Sequence, residues 1–201
     1  MKRVRQYLGV QGMVLALMGG AQALAETAPL FPEHQNCVAW KAKKTFFFVK
    51  KEEPVGVNCG IRIQRLSASP SHYQIQVEVP IDQFNSTEPK RDEEVRALLK
   101  EKDQAAIVFL SDAITAVDWP RYLQGQEKQL QGVLRLGGQA YPVTLQFGKD
   151  PQQEVLRGNL LLNLSSLGIE APRMLAGVMV KVDDAVELLF QAQITSLEGK
   201  P

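Results

Sequence analysis

The chain has 201 residues, 45% of them hydrophobic and 22% charged, with 23 basic side chains against 22 acidic ones. A length of this order suits one domain of roughly 100–200 residues, and the composition is too apolar for a disordered tail. The even charge excludes the basic excess of a general nucleic-acid binder, so no nucleic-acid partner is expected. Two Cys and two His exclude multi-metal clusters and disulfide-dense scaffolds.

Residues 1–25 read as an export signal. Lys2, Arg3 and Arg5 form a positive start, Tyr7 to Met18 is mostly apolar, and Ala23-Leu24-Ala25 offers the small side chains a signal peptidase inspects. An uncleaved membrane anchor needs about 20 uninterrupted apolar residues, and Gln11, Gln22 and four glycines break that run. The expectation is therefore a periplasmic protein whose single mature domain is 26–201. In an oxidising compartment Cys37 and Cys59 read as a disulfide. The rival, a metal site built from His34, Cys37, Cys59 and His72, has poor spacing and no second Cys pair, so no metal is expected.

Strand patterning dominates the rest. Tyr73, Ile75, Val77, Val79 and Ile81 alternate with Gln74, Gln76 and Glu78, the period of two that gives a sheet one apolar face. The same period recurs over Leu130–Leu136, Tyr141–Phe147, Leu156–Leu164 and Val186–Ile194. Gly137-Gly138 between two of these runs signals a tight hairpin. One helix is expected over 88–102, where Val95, Leu98 and Leu99 sit at helical spacing, capped by Ser86 or Thr87 with Pro89 in its first turn. The expected fold is all-β, an antiparallel barrel of about eight strands with one short amphipathic helix.

Along the N-terminal strand, Phe46 and Phe48 share one face and Phe47 takes the other. They read either as a packed aromatic edge or as part of a lumen wall or lip that loads from a membrane. Lys41, Lys43, Lys44, Lys50 and Lys51 flank them, as solvated strand ends or, at Lys43 and Lys44, as contacts for an anionic head group. Arg91-Asp92 reads as a helix-start pair or a ligand contact. Met174 and Met179 read as loop residues filling gaps.

No nucleophile elbow, zinc-protease motif, phosphate loop or dinucleotide fingerprint occurs, so no enzymatic activity is expected. His34 falls near the mature N-terminus and His72 in a Ser-Pro-Ser turn, both outside the expected strands.

The order of these segments resembles the YceI family. A strand is followed by Asp82-Gln83-Phe84-Asn85-Ser86-Thr87, by Arg91-Asp92, by Val95-Arg96 and Leu98-Leu99, and then by a strand at Ala106-Ile107-Val108-Phe109. The Leu130–Phe147 hairpin comes next, and Asn163–Ile169 and Val182–Leu188 match the closing strands. The resemblance covers roughly 38–195, and the sequence departs from it at Gly138-Gln139-Ala140 and in the lysine-rich, Phe-rich first strand. It implies a lipocalin-like barrel holding a polyisoprenoid or similar long lipid. The lumen set expected from this is Phe46, Phe48, Ile75, Val77, Phe109 and Leu134, with Leu145, Leu160, Leu162, Leu188 and Phe190. The expected partners are the lipid ligand and a transient membrane contact. The lipid is the expected bound molecule, with no cofactor, and the sequence sets no oligomeric state. Two alternatives stay open: a haem- or quinone-binding protein, and a ligand-free structural or assembly factor of the cell envelope.

Overall fold

The computed structural model describes residues 29–46, 50–100, 103–175 and 178–198. Residues 1–30 and 31–201 form two units, and every described strand lies in the second. The export segment and Phe48 lie outside the described residues.

Among the described residues, twelve strands form antiparallel ladders. In chain order they are β1 (Cys37–Phe46), β2 (Lys50–Glu52), β3 (Val55–Asn58), β4 (Arg62–Ser69), β5 (His72–Pro80), β6 (Ala106–Ser111), β7 (Ile114–Thr115), β8 (Gln129–Leu136), β9 (Gln139–Lys149), β10 (Val155–Asn163), β11 (Met174–Leu175) and β12 (Val178–Gln193). The main path runs β2-β1-β12-β10-β9-β8-β6-β5-β4, while β3 adds to β1, β7 to β5 and β11 to β12. Among the described residues no helix is long and apolar enough to cross a membrane.

Each apolar alternation of the sequence falls on a strand, except at its last residue for Ile81, Leu164 and Ile194, which begin short helices, and most of the alternating apolar side chains line the interior. The Gly137-Gly138 turn has φ of 60° and 73°, the left-handed pair that a two-residue hairpin of matching twist requires. The barrel expectation needs one correction. The sheet is antiparallel and curled, but its hydrogen-bonded ladders end at β2 and β3, which both pair with β1, on one side and at β4 on the other. At this seam no ladder among the described residues joins the four-residue β3 to β4, and other contacts bridge it. Val57 and Asn85 exchange two backbone bonds of 2.9 Å, and the buried Asn58 donates from Nδ2 to Pro80 O at 2.7 Å. Trp40 of β1, Ile61 before β4 and Val79 of β5 share one core cluster, so side chains close what the ladder leaves open.

Three α-helices accompany the described strands: α1 (Pro89–Leu98), α2 (Trp119–Leu123) and α3 (Ile194–Leu197). The expected cap of α1 is corrected. Glu88 occupies the N-cap without a side-chain bond, and Thr87 has φ of 63°. Asp92 instead reaches back from the first turn and accepts from Ser86 N at 2.9 Å and Ser86 Oγ at 2.6 Å. The carboxylate, not the hydroxyl, is the acceptor, which suits the positive end of the helix. The helix also stops short of residue 102, because Lys100 turns left-handed with φ of 57°. The region of Met174 and Met179 is a strand pair rather than a loop, with Met174 opposite Met179. His72 is likewise the first residue of β5 rather than part of the preceding turn, with Nδ1 3.0 Å from both Ser69 Oγ and Ser71 Oγ.

A third core cluster lies on the outer face of β1. Phe31, Cys37 and Ala39 pack there with Val55, Val57, Cys59 and Leu189. Cys37 and Cys59 form a disulfide. The fully buried Gln191 fastens the preceding segment, donating from Nε2 to Pro32 O and Gln35 O at 3.0 Å each.

Candidate functional site

The inward faces of these strands enclose a cavity of about 280 Å³. Strand alternation determines its lining. On β1 the inward set is Val38, Trp40, Ala42 and Lys44, and on β12 it is Val182, Val186, Leu188, Phe190 and Ala192. At one end α2 and α3 seal the lumen with the buried Trp119, Ile194 and Leu197. Trp119 meets Tyr73 edge-on at 5.5 Å, and Tyr122 stacks on Phe147 at 6.2 Å. Burial, followed by the charges of Glu127 and Asp118, raises the Tyr122 hydroxyl above its ordinary value. At the other end lie the half-buried Val95 and Leu98 of α1 and Leu99 just after it, with the charged side chains Lys44, Arg91 and Glu94.

Nine of the eleven expected lumen residues lie on this wall: Ile75, Val77, Phe109, Leu134, Leu145, Leu160, Leu162, Leu188 and Phe190. Phe46 is half-buried and off the wall, its ring 4.6 Å from Lys44 Nζ. Phe48 lies outside the described residues. The two head-group candidates separate by strand parity. Lys43 faces solvent with 67% of its side chain exposed and a 3.9 Å contact to Glu53, away from the wall. Lys44 points inward and is only 8% exposed. Its ammonium is 3.2 Å from Glu52, which also meets Lys50 at 2.7 Å.

The expected wall omits Trp40, Trp119 and Tyr122, all of which line the cavity. The parity that groups Phe46 with Phe48 extends back through Lys44 and Ala42 to Trp40, and that signal was enough to find it. Trp119 and Tyr122 sit on a five-residue helix, too short for any periodicity. Among the described residues the indole nitrogens of Trp40 and Trp119 are buried donors without a partner. Neighbouring atoms cover both, so the surface facing the lumen is almost wholly carbon. Among the described residues the lining contains no His, Met or Cys, and of the side-chain types that hold a haem iron it offers Tyr122. Among those same residues, no group of three or more His, Cys, Asp or Glu is placed to hold a metal ion.

The hydrogen bond from Lys50, and after it that from Lys44, holds the Glu52 carboxyl below the usual carboxylate range. A lowered folded pKa gives stability that is complete above the ordinary glutamate value and lost as pH falls through the lowered one. Glu52→Gln is therefore expected to flatten the loss of stability on acidification, read from urea midpoints between about pH 6 and about pH 3. An unchanged acid slope would show that the pair contributes nothing there.

The YceI-like domain family matches residues 48–194, the span that carries β2 to β12 and most of the lumen lining, while β1 lies before it. The chain belongs to the YceI-like family. A polyisoprenoid binding domain from Saccharophagus degradans, described as implicated in plant cell wall breakdown, is 12% identical with a TM-score of 0.55. That match covers 77% of this chain and 91% of that one. BcnA of Burkholderia cenocepacia is 14% identical with a TM-score of 0.49, over 76% and 94% of the two chains. A Campylobacter jejuni YceI protein is 11% identical with a TM-score of 0.44, over 91% and 96%. No curated protein matches the chain. At such low identity the Saccharophagus likeness shows the YceI-like fold alone, and the chemistry of this member rests on its own lumen.

Proposed function

We propose that this YceI-like protein is a non-catalytic carrier that holds a polyisoprenoid or another long-chain lipid in its lumen. The observation that carries the reading is a carbon-lined cavity sealed at one end and charged at the other. The cavity, of about 280 Å³, receives a hydrocarbon tail, and about ten buried CH₂ groups set the energy scale. At about 0.8 kcal/mol per buried CH₂ they gross about 8 kcal/mol, above the lower range of association costs, about 4 kcal/mol. The polyisoprenoid binding attributed to the Saccharophagus domain supports the choice of tail.

Lys44 is the group for an anionic head, with Arg91 beside the same end of the lumen. A transient membrane contact fits this end. Thr45 lies opposite Lys51 on one side and Lys181 on the other, so outward-facing cations collect where the charged end opens, and such cations favour an anionic lipid surface. Export to the periplasm, with cleavage after Ala25, completes the proposal, and the Cys37–Cys59 disulfide supports an oxidising compartment.

Native mass spectrometry of protein made in its own host tests the carrier reading. Extra mass released only by organic extraction, and identified as a long-chain lipid, is the expected result. A bare polypeptide mass from such material overturns it and leaves a structural or assembly role.

A further inference from the structure

Three aromatic rings of the lumen wall share one packing arrangement. Trp40, Phe109 and Phe190 line the cavity, and each lies against an inward-facing glycine of a neighbouring strand. Trp40 is opposite Gly56, Phe190 is opposite Gly158, and Phe109, opposite Leu134, reaches its diagonal neighbour Gly132. A Cβ built on Gly56 would stand 2.4 Å from Trp40 Nε1, one on Gly132 2.7 Å from Phe109 Cε2, and one on Gly158 2.5 Å from Phe190 Cζ. Real side chains do not approach so closely.

Backbone conformation does not account for these glycines. Positive φ among the described glycines occurs at 125, 137, 138 and 168, and none of the three belongs to that set. What positions 56, 132 and 158 require is the missing side chain. An inward strand position normally projects a side chain into the lumen. A glycine there leaves a dent in the wall, and a ring on the next strand lies in the dent instead of crossing the interior. Large aromatics thus cover the wall while the middle stays open.

We infer that these glycine seats set the bore of the lumen and so decide whether it admits a methyl-branched chain or only a straight one. The inference rests on the carrier reading above. Phe109 and Phe190 both pack with the core at the sealed end, so they act on the far part of a tail and not on its head.

The test compares geranylgeraniol with hexadecanol, two alcohols of equal backbone length, titrated into delipidated protein and followed by tryptophan fluorescence. In Gly132→Ala and Gly158→Ala the added methyl drives the ring inward. Affinity for geranylgeraniol is expected to fall about tenfold or more relative to hexadecanol, the scale of a misfit methyl group. The added Cβ also meets backbone, at 2.5 Å from Leu110 O and 2.0 Å from Gln146 O. Where an alanine chain fails to fold for that reason, Phe109→Leu and Phe190→Leu carry the test. They widen the bore and are expected to move the affinity ratio toward geranylgeraniol by about threefold or more. A ratio unchanged in the leucine variants overturns the inference while leaving the carrier reading intact. Wild-type protein that binds neither alcohol removes the carrier reading, and this inference with it.

Discussion

Lys44→Met is expected to weaken binding of farnesyl phosphate about 30-fold while leaving farnesol within about twofold, because a hydrogen bond to a charged group is worth about 1.5–3 kcal/mol. The substitution isolates the head-group contact for a structural reason. Lys44 is inward and 8% exposed, and its methylene stem already lies along the apolar wall, where methionine fits. Glu52 is not orphaned by the change, since Lys50 stays 2.7 Å away. Removing one member of a buried pair usually leaves the other charge uncompensated, and here that penalty is avoided. Lys43→Met is the control, because that side chain is solvent-facing and off the wall. Titrations of delipidated protein with the phosphate and the alcohol decide the matter, and equal losses for both ligands would remove the head-group role.

Replacing both Cys37 and Cys59 by Ser is expected to cost about 3 kcal/mol of stability. The bridge closes a loop of 22 residues, and the cost follows from the chain entropy the unfolded state regains. At about 2–4 °C per kcal/mol for a domain of this size, the midpoint of thermal unfolding should fall by about 6–12 °C. The bridge also lies beside the open seam of the sheet. It joins the start of β1 to the residue that follows β3, next to where the ladder stops. β3 has four residues, few hydrogen bonds to hold an edge, so the covalent tie stands in for a longer strand. Thermal scans of the oxidised, reduced and Ser-substituted proteins measure the effect, and coincident midpoints would show that the seam holds without the bridge.

Several features are legible in the chain itself because they depend on local order alone. A period of two forces alternate side chains onto opposite faces, so Ile75 and Val77, or Leu160 and Leu162, were bound to share a wall. The Gly137-Gly138 hairpin is legible for the same kind of reason, since only glycine enters left-handed backbone without steric cost. Other features are not local. Asp92 caps α1 from inside the helix, because the chain before it arrives at an angle that turns the Ser86 amide toward the carboxylate. The five-residue α2 exists because its Trp119 and Tyr122 pack on Tyr73 and Phe147 across the sealed end, and no sequence window contains those partners.

An antiparallel β domain with an apolar inner face, its longest helix, its cystine and its family resemblance were thus written into the order of residues. Alternation, turn chemistry and cysteine context specify them because they act between near neighbours. Three outcomes arose only when the strands packed. The ladder stays open at the β3–β4 seam, Lys44 rather than Lys43 turns into the lumen, and glycines on three strands seat three rings. Each depends on which strands become neighbours and in what register, and register is set by the packing of the whole sheet.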